Sequence, residues 1–134
     1  MIEDLIKYRL AQAEESISEA EFLFSAGKSN RSVINRAYYA MFYSILALQL
    51  TVGKKAKKHT GAIALFDKHF VKSGLFPRSL SKAAHRGFEL RQMSDYQELF
   101  AINKKDVQDL LEQARIFVGE TQVYLKKHRN GKGA

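Results

Sequence analysis

Arg91, Asp95 and Tyr96 are the residues whose placement asks for a chemical explanation. Arg91 comes three residues after Phe88 and four after Gly87, so on a helix it extends an apolar face that packing alone would fill with a hydrocarbon. Asp95, four residues further, is within reach of its guanidinium. One reading is a structural ion pair at a helix end. The other is an anion-binding arginine oriented by a carboxylate, the donor arrangement that phosphate recognition uses.

Two further groups bear on that choice. Lys57, Lys58 and His59 close a basic run that begins at Lys54, and they bring cations together with an imidazole that titrates near neutrality. The stretch Asn35-Arg36-Ala37-Tyr38-Tyr39-Ala40-Met41-Phe42-Tyr43 is dense in aromatic side chains. Tyr38 and Phe42 read as core, whereas Arg36, Tyr39 and Tyr43 form a polar stripe suited to a groove or a dimer face. Nothing else has the spacing of a site: there is no phosphate-cradling glycine loop, no zinc-type histidine pattern and no serine nucleophile motif. With no cysteine, a thiol nucleophile and a thiolate-held metal are excluded. Neither a metal nor a cofactor is expected.

Helices must position these residues. In residues 2–25, Ile2, Ile6, Leu10, Ala13, Ile17, Ala20 and Phe24 draw one stripe in steps of three and four. Gly27 suits a helix end, and Ser29 or Asn30 suits the next cap. Residues 30–51 are apolar on nearly every face, the mark of a central helix. Residues 60–72 carry a short stripe of Ile63, Phe66 and Phe70, ended by Gly74, with Pro77 opening the next helix. Residues 77–95 present Leu80, Ala84, Gly87 and Phe88 inward. Residues 104–127 open near Asn103 and Asp106 and continue through Val107, Leu110, Ala114, Phe117, Thr121 and Tyr124. The fold class is therefore all-α, an antiparallel up-and-down bundle of about five helices. Strict alternation would put Lys57, Lys58 and His59 at one pole with Arg91, Asp95 and Tyr96.

Bulk properties agree. The 134 residues, 46% hydrophobic and 27% charged with one proline, make one globular domain. It is expected to span residues 1–128, with 129–134 as a flexible basic tail. The net charge of +8 favours an anionic partner. The opening residues lack a signal-peptide pattern, and the longest apolar stretch, 37–50, is shorter than the ~20 residues that span a bilayer. A cytoplasmic location without membrane attachment is the expectation.

Four segments together resemble the HEPN family: Asn35 to Phe42, Lys58-His59-Thr60-Gly61, Phe70-Val71-Lys72-Ser73-Gly74, and Arg91-Gln92-Met93-Ser94-Asp95-Tyr96. The similarity is to the small, stand-alone members of bacteria and archaea. It implies a helical bundle that forms homodimers, paired with a minimal nucleotidyltransferase in a toxin–antitoxin-like system. It also implies nucleotide or RNA binding around Arg91, drawing on Asp95, Tyr96, Lys57, Lys58, His59, Arg36 and Tyr39. Catalytic members of the family are metal-independent ribonucleases with an arginine followed after four to six residues by a histidine. Here four residues follow Arg91 and then comes Tyr96, which at an ordinary pKa near ~10 is a poor base. Arg78 and His85 have six residues between them but sit at the wrong end of their helix. Three functions follow in order: a dimeric HEPN partner without catalysis through that pair, an endoribonuclease toxin using Arg91 with Tyr96 or His59, and a structural helical dimer module.

Overall fold

The computed structural model describes residues 1–96 and 101–133, and among them every regular element is a helix. Helix α1 spans Ile2–Ser25, α2 Asn30–Leu50, α3 His59–Phe66, α4 Arg78–Ser94 and α5 Lys104–Gly133. A single wide turn, Asp67–Val71, prolongs α3. None of these helices is long and apolar enough to cross a membrane.

Local chemistry sets the boundaries. Ser29 caps α2, its hydroxyl oxygen accepting the Ser32 N–H at 3.2 Å. Asn30 instead donates its side-chain amide to the Ile102 carbonyl at 3.0 Å, which ties the start of α2 to the chain entering α5. Asn103 accepts the Asp106 N–H at 2.9 Å and caps α5. Gly27 and Gly74 take positive φ of 68° and 87°, which only glycine adopts without strain.

Helix α2 is the axis of the molecule. Val33, Ile34, Ala37, Tyr38, Ala40, Met41, Ile45, Ala47 and Leu48 are all buried, covered by α1, α3, α4 and α5. Side-chain pairings give the directions. Glu19 meets Arg36 and Glu21 meets Arg115, while Glu14 meets Gln122, so α1 runs antiparallel to α2 and α5. Gly87 lies against Met41 and Tyr38, and Asp95 pairs with Arg31, so α4 is antiparallel to α2. Phe66 meets Phe117 and Phe70 meets Tyr124, so α3 runs with α5 and hence with α2.

The expected strict alternation is therefore corrected at one connection. Residues 51–58 double back beside α2 before α3 begins. Gly53, with φ 71°, turns the chain, and the Lys54 N–H returns to the Gln49 carbonyl at 3.0 Å. The buried Gln49 amide then grips Ala56 twice, donating to its carbonyl at 3.0 Å and accepting its N–H at 3.2 Å.

Helix α5 runs from Lys104 through Gly133. Lys126, Lys127 and Arg129 are good helix formers and no proline interrupts them. Ala134 lies outside the described residues.

Candidate functional site

The doubled-back connection delivers His59, the first residue of α3, to the flank of α2 rather than to a pole. Its ring stacks on Phe42 with centroids 4.1 Å apart and planes within 20°. Its Nδ1 and the Tyr38 hydroxyl share a 2.6 Å hydrogen bond. Phe88 of α4 stands 6.1 Å away on the same shelf. The partly buried Nε2 side of the ring makes no hydrogen bond among the described residues.

Arg91 reaches this shelf from α4. Its guanidinium carbon lies 5.8 Å from the Tyr38 ring centre and 5.2 Å from that of Tyr39, within cation–π range. Among the described residues Arg91 has no carboxylate partner. Its charge is thus held by aromatic faces without a neutralising carboxylate among the described residues, which leaves its N–H donors to an incoming anion.

The electrostatics are mutual. Burial holds His59 below its ordinary value of 6.5, and the nearby Arg91 charge adds to that, so the imidazole is neutral at physiological pH. Burial also pushes the Tyr38 hydroxyl well above the usual tyrosine range, with Arg91 acting in the opposite sense, so Tyr38 keeps its proton. A protonated Tyr38 either donates to Nδ1 or accepts from it. In the second tautomer Nε2 carries an open lone pair.

A pH dependence follows. A histidine whose pKa is depressed on folding contributes stability that is fully present above its unfolded value and is lost as the pH falls through the folded one. The unfolding midpoint should therefore drop more steeply for the wild type than for His59→Gln as the pH is lowered from about 7 toward 5. Parallel slopes for the two proteins would show that His59 is not held neutral by the fold.

The predicted site residues separate into two groups. Arg91, His59 and Tyr39 converge. Arg36 joins at the edge, 5.4 Å from the Tyr39 ring centre, but it is bound to Glu19 at 3.4 Å and donates to the Asn35 side-chain oxygen Oδ1 at 3.0–3.1 Å. Asp95 does not orient Arg91. It pairs with Arg31 at 3.0 Å, because the antiparallel course of α4 carries the helix end toward the start of α2. Tyr96 is exposed beyond the end of α4 and touches neither His59 nor Arg91 by ring stacking or hydrogen bond among the described residues. Lys58 precedes α3 and points to solvent, while Lys57 belongs to a different depression beside α1. His85 is bound to Asp67 at 2.7 Å, away from this shelf.

Tyr38 and Phe42, which read as core from the sequence, carry His59 on the shelf, and Gln49, which interrupts an apolar run, holds the connection that delivers it. One signal was available: a tyrosine on the most buried helix needs a partner for its hydroxyl, and His59 supplies it. Among the described residues no cluster of three metal-ligating side chains exists.

Comparison with known proteins follows the same lines. Residues 6–124 match the HEPN domain. The chain is 36% identical to a UPF0332 protein of Thermotoga maritima over 87% of both chains. It is 33% identical to a Methanocaldococcus jannaschii protein named as a candidate toxin, over 87% of this chain and 78% of the relative. A UPF0332 protein of Archaeoglobus fulgidus is 32% identical over 94% of this chain and 99% of its own. The helical bundle, the extent of the match and these relatives together place the chain in the HEPN domain family.

Proposed function

We propose that the protein is a toxin-type HEPN partner that engages a phosphate of RNA or of a nucleotide at Arg91 and His59. The observation that carries this reading is the meeting, on one aromatic shelf, of a guanidinium without a carboxylate partner among the described residues and a neutral imidazole. An arginine so placed offers paired N–H donors to a phosphate, and Tyr39 keeps it extended. The basic balance of the whole chain assists the encounter. Two relatives named as candidate toxins support the toxin-type assignment. The homodimer and the minimal nucleotidyltransferase partner of this reading rest on family membership.

A second reading is favoured by the 2.6 Å bond between Tyr38 and His59. That bond fixes the imidazole, and with Nδ1–H directed at Tyr38 the Nε2 lone pair takes the proton of an RNA 2′-hydroxyl. The 2′-oxygen bonds to the adjacent phosphorus as the P–O5′ bond breaks, and the leaving 5′-oxygen takes a proton from water, leaving a 2′,3′-cyclic phosphate and a 5′-hydroxyl. Arg91 then stabilises the charge that develops on the attacked phosphate. In this reading His59, brought in from α3, performs the role that Tyr96 cannot.

One experiment addresses both. A labelled short RNA is titrated with wild type, Arg91→Ala and His59→Gln, and its integrity is followed on a gel. Loss of a charge-assisted contact of ~1.5–3 kcal/mol should weaken binding by Arg91→Ala at least tenfold. Equal binding by wild type and Arg91→Ala would refute the first reading, and no binding by either favours a structural helical module. Cleavage by the wild type that persists undiminished in His59→Gln would refute the second. Purification from the native host should bring a small nucleotidyltransferase with the chain, and its absence would count against the pairing.

A further inference from the structure

Away from the Arg91 shelf, the doubled-back connection forms the wall of a depression of about 260 Å³ against α1 and the end of α2. Its floor is apolar: Leu5, Leu46, Leu50 and Ala56. Its polar lining is Arg9, Lys55, Lys57 and Gln49. The Gln49 amide is already committed to both backbone groups of Ala56. That leaves three cations over a hydrocarbon floor, with no acidic residue in the lining and no ion pair to any of the three among the described residues.

Arg9 donates to the Gln12 side-chain oxygen at 2.9 Å, and Lys55 and Lys57 are exposed, so the rim is positively charged with no counter-charge among the described residues. An occupant that satisfies it carries one negative group for the rim and a hydrocarbon body for the floor. No aromatic ring lines the depression, so nothing there stacks a nucleobase, and alkyl matter fits the leucines better. The volume is that of a small molecule with a short chain.

We propose that the depression bounded by Arg9, Lys55 and Lys57 is a binding site for a small amphiphilic anion, a single phosphate or carboxylate head on a short alkyl chain. The site is independent of the reading of Arg91, since it shares no residue with the aromatic shelf.

The test is calorimetric titration of the full chain with octyl phosphate below its micellar concentration, beside inorganic phosphate and octyl glucoside. Octyl phosphate should bind at least tenfold more tightly than either control, because it alone satisfies both rim and floor. The exposed double variant Lys55→Ala/Lys57→Ala should weaken octyl phosphate at least tenfold while its circular dichroism and unfolding midpoint stay those of the wild type. Equal affinity for inorganic phosphate would reduce the site to diffuse charge and overturn the proposal. Equal affinity for octyl glucoside would reduce it to an apolar patch, with the same result. Unchanged affinity in the double variant would place the ligand elsewhere and equally overturn it.

Discussion

Phe66→Ala is expected to destabilise the chain by about 3–5 kcal/mol, the range for truncating a buried aromatic side chain. Phe66 is 1% exposed and its ring is surrounded by other aromatic rings, with centroids of Phe117 at 5.0 Å, Phe76 at 5.5 Å and Phe70 at 6.0 Å. These come from α5, from the connection before α4 and from the wide turn that ends α3, so one side chain joins three elements. Rigid rings cannot collapse into the space left behind, which puts the cost at the upper part of the range. For a domain of this size the thermal midpoint should fall by ~10 °C or more. A loss below about 1 kcal/mol in urea unfolding would show that the cluster is loosely packed and that α3 is held chiefly elsewhere.

Gly87→Val is the second large effect, and it reaches the site. A Cβ on Gly87 would stand 2.6 Å from Met41 Cε, 3.2 Å from Tyr38 Cδ1 and 3.4 Å from Leu110 Cδ1. The methionine methyl is the end of a flexible chain and can swing aside, so Gly87→Ala should be mild. Valine adds two further methyl groups on the side where Tyr38 and Leu110 already stand. Overpacking of this kind costs about 1–3 kcal/mol, and here it also pushes the Tyr38 ring whose hydroxyl holds His59. Urea unfolding of the two variants, with the His59 ring resonances followed by NMR, measures both consequences. A valine variant within about 0.5 kcal/mol of the alanine variant, with unmoved His59 signals, would show that α4 yields without disturbing the shelf.

The contrast between these helices and the site shows what periodicity conveys. The stripes of α1 and α5, the burial of α2 on nearly every face, a cap at Ser29 or Asn30 and the stop at Gly27 depend on residues close in the chain and were legible, with Ser29 the cap of the two. The direction of α3 was not. It depends on Gly53 turning the chain and on Gln49 holding Ala56, an interaction that interrupts an apolar run and leaves no periodic trace. Asp95 is the instructive case. Arg91, at a helical spacing of four, was the natural partner, yet Arg31 holds it from 64 positions away because the bundle sets α4 antiparallel to α2. Of the six residues expected at one pole, Lys57, Lys58, Asp95 and Tyr96 do not join the other two; His59 and Arg91 meet, but on the flank of α2. The alternation that suggested it was broken, and the flank of α2 replaced the pole as their meeting place.

That meeting place has a consequence for when the protein becomes competent. Tyr38, His59 and Arg91 belong to three helices, and no two of them are near neighbours in the chain. A hairpin of α1 and α2 leaving the ribosome carries Tyr38, Tyr39 and Phe42 but neither the imidazole, the guanidinium nor Phe88. His59 arrives only after the connection has doubled back, and Arg91 only after α4 has been made and docked. Long-range contacts of this kind close late, after local helices have formed. In the manner proposed above, the arrangement at Arg91 and His59 is therefore complete only once α4 has docked on α2.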